Sequence, residues 1–148
     1  MNNKNNYLKD TIRIQVRFSE VDSLKIVWHG SYIKYLEDGR EAFGRRYGIK
    51  YLDVYAVGYT MPLIEMELMF KGTATVDDIL ILETTYIPDR GAKIKYKYRI
   101  CKEHDNSLVL EANTLQLFTT INGELETSKP EFLREWENQY ITGKNAFN

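Results

Sequence analysis

Length, composition and charge set the first limits on what this chain can be. It has 148 residues, 43% hydrophobic and 28% charged, which is ordinary for a globular protein and long enough for a sizeable core. Twenty basic against twenty-one acidic residues leave a formal charge of −1, which argues against a nucleic-acid-binding protein because such proteins carry a basic excess. A chain of this length most simply forms one domain, so we expect a single domain over residues 1–148.

The start of the chain and its cysteine content bear on location. Residues 1–10 are polar, without the apolar segment of a signal peptide, and are predicted to form a loose tail. No stretch approaches the roughly 20 apolar residues of a membrane-spanning helix. Cys101 is the only cysteine, so the chain can form no internal disulfide and no cysteine-based metal cluster. The sequence predicts a cytoplasmic protein that does not engage a membrane.

The first regular pattern is an alternation of apolar and polar residues over residues 11–18. One face carries Ile12, Ile14, Val16 and Phe18, and the other carries Arg13, Gln15 and Arg17. A period of two sustained over this length predicts a half-buried β-strand. A loop over residues 21–32 follows it.

Helical spacing replaces the alternation after this loop. One apolar stripe runs through Tyr32, Leu36, Gly39, Phe43 and Tyr47. The stripe predicts a helix over residues 31–47, with Ser31 as the N-cap and Gly48 in the left-handed position past its end. Gly39 costs about 1 kcal/mol of helix stability relative to alanine. Close packing of the helix on a sheet would explain that glycine, and a plain flexible point is the alternative.

Strand patterns fill most of the remaining chain. They cover residues 61–70, 79–87, 93–100 and 108–121, separated by Lys71-Gly72-Thr73, Pro88-Asp89-Arg90-Gly91 and His104-Asp105-Asn106-Ser107. Asn122-Gly123 is a strong hairpin signal, and Ser128-Lys129-Pro130-Glu131 has the capping-box spacing that begins a short C-terminal helix. One helix followed by a run of strands predicts an α+β fold, with an antiparallel sheet of about five strands around one long central helix.

The loop between the first strand and the helix gathers residues that could carry chemistry. Asp22 most simply forms an Asx-turn or a cap, yet it lies too far before Ser31 to cap the predicted helix. Apolar residues follow it in the loop, namely Leu24, Ile26, Val27 and Trp28. A carboxylate partly desolvated by such neighbours would be a better base or nucleophile.

His29 stands beside the predicted start of the helix and is one of two histidines in the chain. A lone histidine is more often a structural hydrogen-bonding residue than a catalyst. A metal site shared with Asp22 is rejected, because no third ligand stands at a suitable spacing nearby. The chain also has no serine nucleophile elbow and no glycine-rich phosphate loop. We therefore expect neither a metal nor a cofactor.

The segment Trp28-His29-Gly30-Ser31 is where the free N–H groups of the helix start would point outward. Those donors and the positive end of the helix dipole could hold an oxyanion. Gly30 would leave room for a substrate close to the backbone. A carboxylate that faces a helix N-terminus is a suitable arrangement for acyl transfer, since one polarises a carbonyl and the other attacks it or activates water.

The loop and the helix together carry a resemblance to a known family. The residues that carry it are Arg17-Phe18-Ser19-Glu20-Val21-Asp22, Ile26-Val27-Trp28-His29, Ser31-Tyr32, Leu36-Glu37 and Arg40. In these motifs the chain resembles the hotdog-fold acyl-CoA thioesterases of the 4-hydroxybenzoyl-CoA thioesterase type. The resemblance is motif-specific over residues 12–45 and architectural beyond them. It implies hydrolysis of an acyl-CoA thioester to free acid and CoA.

The resemblance also implies roles for individual residues. Asp22 would act as nucleophile or general base, while the backbone N–H of His29 or Gly30 would polarise the thioester carbonyl and the His29 side chain would orient substrate or water. The substrate pocket would be lined by Val27, Trp28 and Tyr32. Arg90 and Lys93, at the turn into the fourth strand, would meet the phosphates of CoA. A solvated loop and strand face is the alternative for that pair.

Assembly and the rival functions follow from the same resemblance. Family members form dimers with a continuous sheet, often doubled to tetramers, so we expect a homo-oligomer with active sites at its interface. Hydrolysis of acyl groups on acyl-carrier protein and non-catalytic binding of acyl-CoA are the alternatives. Dehydratases of the same fold would use a helix carboxylate, here Glu37 or Glu41. The segments Ser23-Leu24-Lys25 and Phe70-Lys71-Gly72-Thr73 depart from the family pattern and leave the acyl group open.

Overall fold

The computed structural model describes residues 7–142 of the chain. Its helices and strands are β1 (Lys9–Gln15), α1 (His29–Tyr47), α2 (Tyr51–Ala56), β2 (Tyr59–Thr60), β3 (Leu63–Phe70), β4 (Ile79–Ile87), β5 (Lys93–Lys102), β6 (Leu108–Leu117), β7 (Thr119–Thr120) and α3 (Glu131–Glu137). A 3₁₀ turn at Phe18–Glu20 precedes α1, and a π-helical turn at Asn138–Thr142 follows α3.

Five antiparallel strands form the main sheet in the order β1-β4-β5-β6-β3. β4, β5 and β6 are consecutive in the chain and pair as two hairpins, whereas β1 and β3 form the two edges through long-range pairings. β2 and β7 form a separate two-stranded ribbon. The predicted α+β class, with an antiparallel sheet of five strands and one long helix, is confirmed.

α1 packs on the sheet through the predicted apolar stripe. Tyr32, Leu36, Gly39 and Phe43 are buried in this interface, and Leu80, Leu82 and Ile100 are buried on the strands. The C-terminal end of α1 is held by α3, because the indole N–H of Trp136 donates to the carbonyl of Tyr47 at 2.7 Å. The core therefore lies between α1 and the sheet, and α3 closes one end of it.

Gly39 marks tight packing of α1 on β4. A Cβ at this position would lie 2.6 Å from Thr84 Oγ1 and 2.7 Å from Leu82 Cδ2. Both neighbours are fully buried, so neither can move aside into solvent. Close approach to the sheet therefore explains this glycine, as predicted, and a flexible point does not.

We expect Gly39→Val to lower the free energy of unfolding by about 1–3 kcal/mol, because the added methyl groups overpack the interface with Thr84 and Leu82. Urea unfolding followed by circular dichroism would measure the change. Lys34→Val, at an exposed position of α1, is the matched control and should cost only about 0.5 kcal/mol, the difference in helix propensity. A Gly39→Val midpoint equal to that of Lys34→Val would contradict the packing explanation.

The start of α1 differs from the prediction. The helix begins at His29, two residues earlier than expected, and Trp28 occupies the N-cap position without a side-chain cap. Ser31 lies inside the first turn, where its hydroxyl donates to the carbonyl of Glu20 at 2.9 Å. The capping role predicted for Ser31 is therefore wrong. The predicted end is confirmed, since Gly48 is left-handed with φ of +74°.

The first strand also ends differently from its prediction. Val16 is buried as expected, but Phe18 is 82% exposed and lies in the 3₁₀ turn. The expectation that Phe18 continues the buried face is wrong, because the chain leaves the sheet before it. β1 begins at Lys9, so the tail predicted over residues 1–10 is too long. Residues 1–6 lie outside the described residues.

The end of the last predicted strand and the start of the C-terminal helix differ from their predictions. The predicted last strand is interrupted at buried Phe118, which separates β6 from β7. The hairpin after it is confirmed, since Gly123 has φ of +87° and its N–H donates to the carbonyl of Thr120 at 2.9 Å. The short C-terminal helix is confirmed as well, although Pro130 rather than Ser128 occupies its N-cap position.

The two edges of the sheet differ in chemistry. β1 exposes charged side chains, with Arg13 paired to Glu103 and Lys9 paired to Glu83. β3 exposes the large apolar side chains of Leu63, Ile64 and Phe70, and between them the carboxylates of Glu65 and Glu67. Charged edges resist pairing with another strand, whereas an open apolar edge favours it.

Candidate active site

Residues 21–28, here called the Asp22 loop, fold back on themselves between β1 and α1. Val21 and Val27 form an isolated antiparallel bridge, and the N–H of Asp22 donates to the carbonyl of Ile26 at 2.9 Å. Lys25 is left-handed, with φ of +64°. Glycine adopts that conformation without steric cost, and lysine does not. The departure from the family pattern noted at Lys25 therefore falls on the one strained residue of the loop.

The carboxylate of Asp22 has one occupied and one open oxygen. Oδ1 accepts the N–H of Leu24 at 2.8 Å, so Asp22 forms an Asx-turn. Among the described residues, Oδ2 accepts no hydrogen bond. The side chain is half-buried, and Leu24 beside it is 74% exposed rather than packed over it. The turn thus fixes the carboxylate and leaves one of its oxygens without a donor among the described residues.

The N-terminus of α1 lies next in the chain and presents free donors. The N–H of Trp28 donates to the carbonyl of Glu20, and the N–H of Ser31 donates to the carbonyl of Trp28, both at 2.9 Å. Within residues 7–142 the N–H groups of His29 and Gly30 meet no acceptor, as expected for the first turn of a helix. These two donors, together with the helix dipole, form an electropositive point suited to an oxyanion.

The Trp28 side chain partly covers the free N–H groups at the start of α1. Its indole lies over Gly30, and a Cβ on Gly30 would overlap the six-membered ring, 2.7 Å from Cε3. The ring centroids of Trp28 and His29 are 5.0 Å apart, and both side chains are exposed. Gly30 therefore makes room for the Trp28 ring, which occupies the space that the sequence suggested for a substrate.

Two predicted pocket residues lie deeper than expected. Val27 and Tyr32 are 5% and 2% exposed, and both belong to the hydrophobic core. The Tyr32 ring packs against Tyr35 and Phe70, with centroids 5.8 Å away in each case. Burial and the nearby charge of Asp78 raise the pKa of Tyr32 to about 12. Both side chains are therefore part of the core of this chain, and their role in lining a substrate pocket stays a prediction.

Glu20 links the loop to α1 and was not singled out from the sequence. Its Oε1 accepts the N–H of Arg17 at 2.8 Å and the hydroxyl of Tyr35 at 2.9 Å. Burial, followed by the hydrogen bond to Glu20, raises the pKa of Tyr35. Glu20 does stand within the motif that carries the family resemblance. Its partner Tyr35 lies beside the apolar stripe, and nothing local connects the two residues.

Arg90 lies in the turn between β4 and β5, and Lys93 is the first residue of β5. Lys93 Nζ is 3.8 Å from Asp89 Oδ1, whereas Arg90 is exposed and pairs with no described residue. Burial acts to raise the pKa of Asp89, but the N–H of Gly91 and the ammonium groups of Lys95 and Lys93 outweigh it and lower that pKa. Arg90 is thus the freer of the two predicted phosphate contacts.

This turn is remote from the Asp22 loop of the same chain. The N–H of Val27 donates to the carbonyl of Ala74 at 2.8 Å, which places the loop just before the start of β4. Arg90 and Lys93 follow the end of β4, and the two ends of a strand of this length are about 25 Å apart. One chain therefore does not bring Arg90 and Lys93 to Asp22.

The helix carboxylates Glu37 and Glu41 lie away from the start of α1. Glu37 and Glu41 line an open groove of about 500 Å³ beside β3, together with Arg40. Glu37 lies about 12 Å along α1 from His29, two helical turns away.

Across residues 7–142, no cluster of three or more histidine, cysteine or acidic side chains could hold a metal ion. No helix in the same range is long and apolar enough to span a membrane.

Comparison with known proteins places this fold and loop in a family. The sequence profile of the thioesterase-like superfamily matches residues 16–136, and the chain belongs to that superfamily. The fold is the hotdog fold, shared with the 4-hydroxybenzoyl-CoA thioesterase from Pseudomonas sp. strain CBS-3. That structure is 22% identical, with a TM-score of 0.72 over 86% of this chain and 98% of that one.

Two curated relatives match parts of the chain. YneP of Bacillus subtilis is 29% identical over 87 residues, which is 59% of this chain and 63% of YneP. The acyl-CoA thioester hydrolase YbgC of Escherichia coli is 24% identical over 102 residues, which is 69% of this chain and 75% of YbgC. The chain thus spans somewhat less than two thirds of YneP. It spans three quarters of YbgC.

Proposed function

We propose that this protein hydrolyses acyl-CoA thioesters. The observation that supports this most is the open Oδ2 of Asp22 in a loop that ends at two free N–H groups, those of His29 and Gly30. The thioester carbonyl would accept hydrogen bonds from these donors, which would stabilise the negative charge that develops on its oxygen. Membership of the thioesterase-like superfamily and the name of YbgC support the same reaction.

Asp22 supplies the side-chain chemistry in this proposal. Its carboxylate either attacks the carbonyl carbon, giving an anhydride that water then cleaves, or takes a proton from the water that attacks. In both routes the C–S bond breaks, CoA leaves as the thiolate and takes up a proton, and the acyl group leaves as the acid. The Asx-turn with Leu24 holds the carboxylate in place for either route.

We further propose a homodimer joined through β3, in which the two chains complete each other's sites. The apolar edge at Leu63, Ile64 and Phe70 supports pairing there. An antiparallel pairing about a twofold axis brings opposite ends of the two sheets together. Arg90 and Lys93 of one chain would then approach Asp22 of its partner and bind the phosphates of CoA, which they cannot do within one chain.

A hydrolysis panel tests the proposed function. Purified protein would be incubated with short, long and aromatic acyl-CoAs, and release of free thiol would be followed. The same acyl groups would be presented on acyl-carrier protein to identify the carrier. We expect turnover of at least one acyl-CoA, faster than of the same acyl group on carrier protein. Binding of acyl-CoAs without any thiol release would contradict the proposal.

A further inference from the structure

Glu20 is attached to α1 at two separate points. Its backbone carbonyl accepts the N–H of Trp28 and the hydroxyl of Ser31, both at 2.9 Å. Its side chain accepts the hydroxyl of Tyr35 at 2.9 Å. Ser31 and Tyr35 are four residues apart and therefore lie on one face of the helix. The chain segment at Glu20 is thus fixed to two successive turns of α1.

Two attachment points restrict motion that one point would permit. The contact at Trp28 and Ser31 alone would let the segment pivot about the first turn of α1. The contact at Tyr35 prevents that rotation, and the N–H of Arg17, bonded to the same carboxylate oxygen at 2.8 Å, holds the Glu20 side chain in position. Asp22 follows Glu20 by two residues, so its orientation depends on this arrangement.

Burial leaves the Tyr35 hydroxyl dependent on Glu20 as its hydrogen-bond acceptor. Tyr35 is 1% exposed, so its hydroxyl would have no solvent partner in place of Glu20. A buried donor without an acceptor is costly, and the tyrosine therefore keeps the carboxylate in one place. Any acceptor of similar length at position 20 would serve the same purpose, because only an oxygen lone pair is needed.

We propose that Glu20 is a positioning residue for thioester hydrolysis, holding the Asp22 loop against the N-terminus of α1 through Tyr35. This inference rests on the proposed function. The role concerns the distance between the Asp22 carboxylate and the N–H groups of His29 and Gly30. A shift of about 1 Å between reacting groups costs up to 100-fold in rate, whereas binding of CoA depends on groups elsewhere.

The test compares Tyr35→Phe, Glu20→Ala and Glu20→Gln. We expect the first two to lower kcat by about 10- to 100-fold with KM changed by less than about twofold. Glu20→Gln keeps an oxygen acceptor for Tyr35 and should stay within about threefold of the natural protein. Trp136→Phe is the matched control, because it removes a buried hydrogen bond at the opposite end of α1 and should leave kcat unchanged.

Amide hydrogen exchange gives a readout that does not depend on activity. In Tyr35→Phe the amides of Asp22, Leu24 and Trp28 should exchange at least about tenfold faster without global unfolding, while in Trp136→Phe they should not. An unchanged kcat in Tyr35→Phe, a fall equal to that in Trp136→Phe, or unchanged exchange at these amides would overturn the inference. If the natural protein hydrolyses no acyl-CoA, the proposed function fails, and the exchange result still decides whether Glu20 holds the loop.

Discussion

Asp22→Asn is expected to lower kcat for acyl-CoA hydrolysis by about 10²–10⁴-fold, the usual contribution of a side chain that acts as general base. Asparagine cannot take a proton or attack a carbonyl as carboxylate does. Its amide oxygen can still accept the N–H of Leu24, so the Asx-turn and the loop should persist. Steady-state kinetics with the best substrate of the hydrolysis panel, together with circular dichroism and thermal unfolding, would measure both effects.

A second aspartate of the chain provides a matched control for this substitution. Asp105 also forms an Asx-turn, in which its Oδ1 accepts the N–H of Ser107 at 2.9 Å, but it lies in the turn between β5 and β6. Asp105→Asn should therefore leave kcat unchanged and affect stability as little as Asp22→Asn does. Turnover by Asp22→Asn close to that of Asp105→Asn would show that Asp22 does not carry the reaction.

Subunit mixing is expected to restore activity from two impaired proteins if the site is shared across a dimer. Arg90→Ala with Lys93→Ala should lower kcat/KM by about 10- to 100-fold, because charge-assisted hydrogen bonds to phosphate are lost. When this variant is refolded together with Asp22→Asn, half of the dimers are hybrids. Each hybrid has one intact site, so we expect about a quarter of the natural kcat/KM.

The mixing experiment separates a shared site from a site within one chain. If Asp22, Arg90 and Lys93 act in the same chain, no hybrid contains a complete set, and mixing gives no recovery. Mixing Asp22→Asn with a protein that carries all three substitutions is the control, and it should stay inactive in either case. Sedimentation of the mixture would establish that dimers are present. Dimers without recovered activity would disprove the shared site.

The central helix and the sheet were predictable because both are governed by periodic patterns. The apolar stripe of α1 requires one buried face, and the alternation in β5 requires another, so local sequence determines both. The start of α1 was misplaced because Ser31 looks like an N-cap residue. Its hydroxyl instead bonds to the carbonyl of Glu20, eleven residues earlier in the chain. A local sequence pattern does not reveal a hydrogen bond between residues that far apart in the chain.

The candidate site was predictable only in part for the same reason. Asp22 and the helix N-terminus are neighbours in the chain, so their association could be inferred from the sequence. The link between Glu20 and Tyr35 depends on the way the loop folds onto the helix. The separation of Arg90 from Asp22 depends on the direction and length of β4. Both are consequences of three-dimensional packing, and residue spacing does not reveal them.

The strand order has a consequence for how the protein folds. β4, β5 and β6 pair through short turns, so they can form early with little loss of chain entropy. β1 must find β4 from far along the sequence, as the pairing of Lys9 with Thr85 shows, and such long-range closures are slow. The Asp22 loop follows this strand in the chain. We therefore expect the Asp22 carboxylate to reach its position late in folding, after β4, β5 and β6 have formed a sheet.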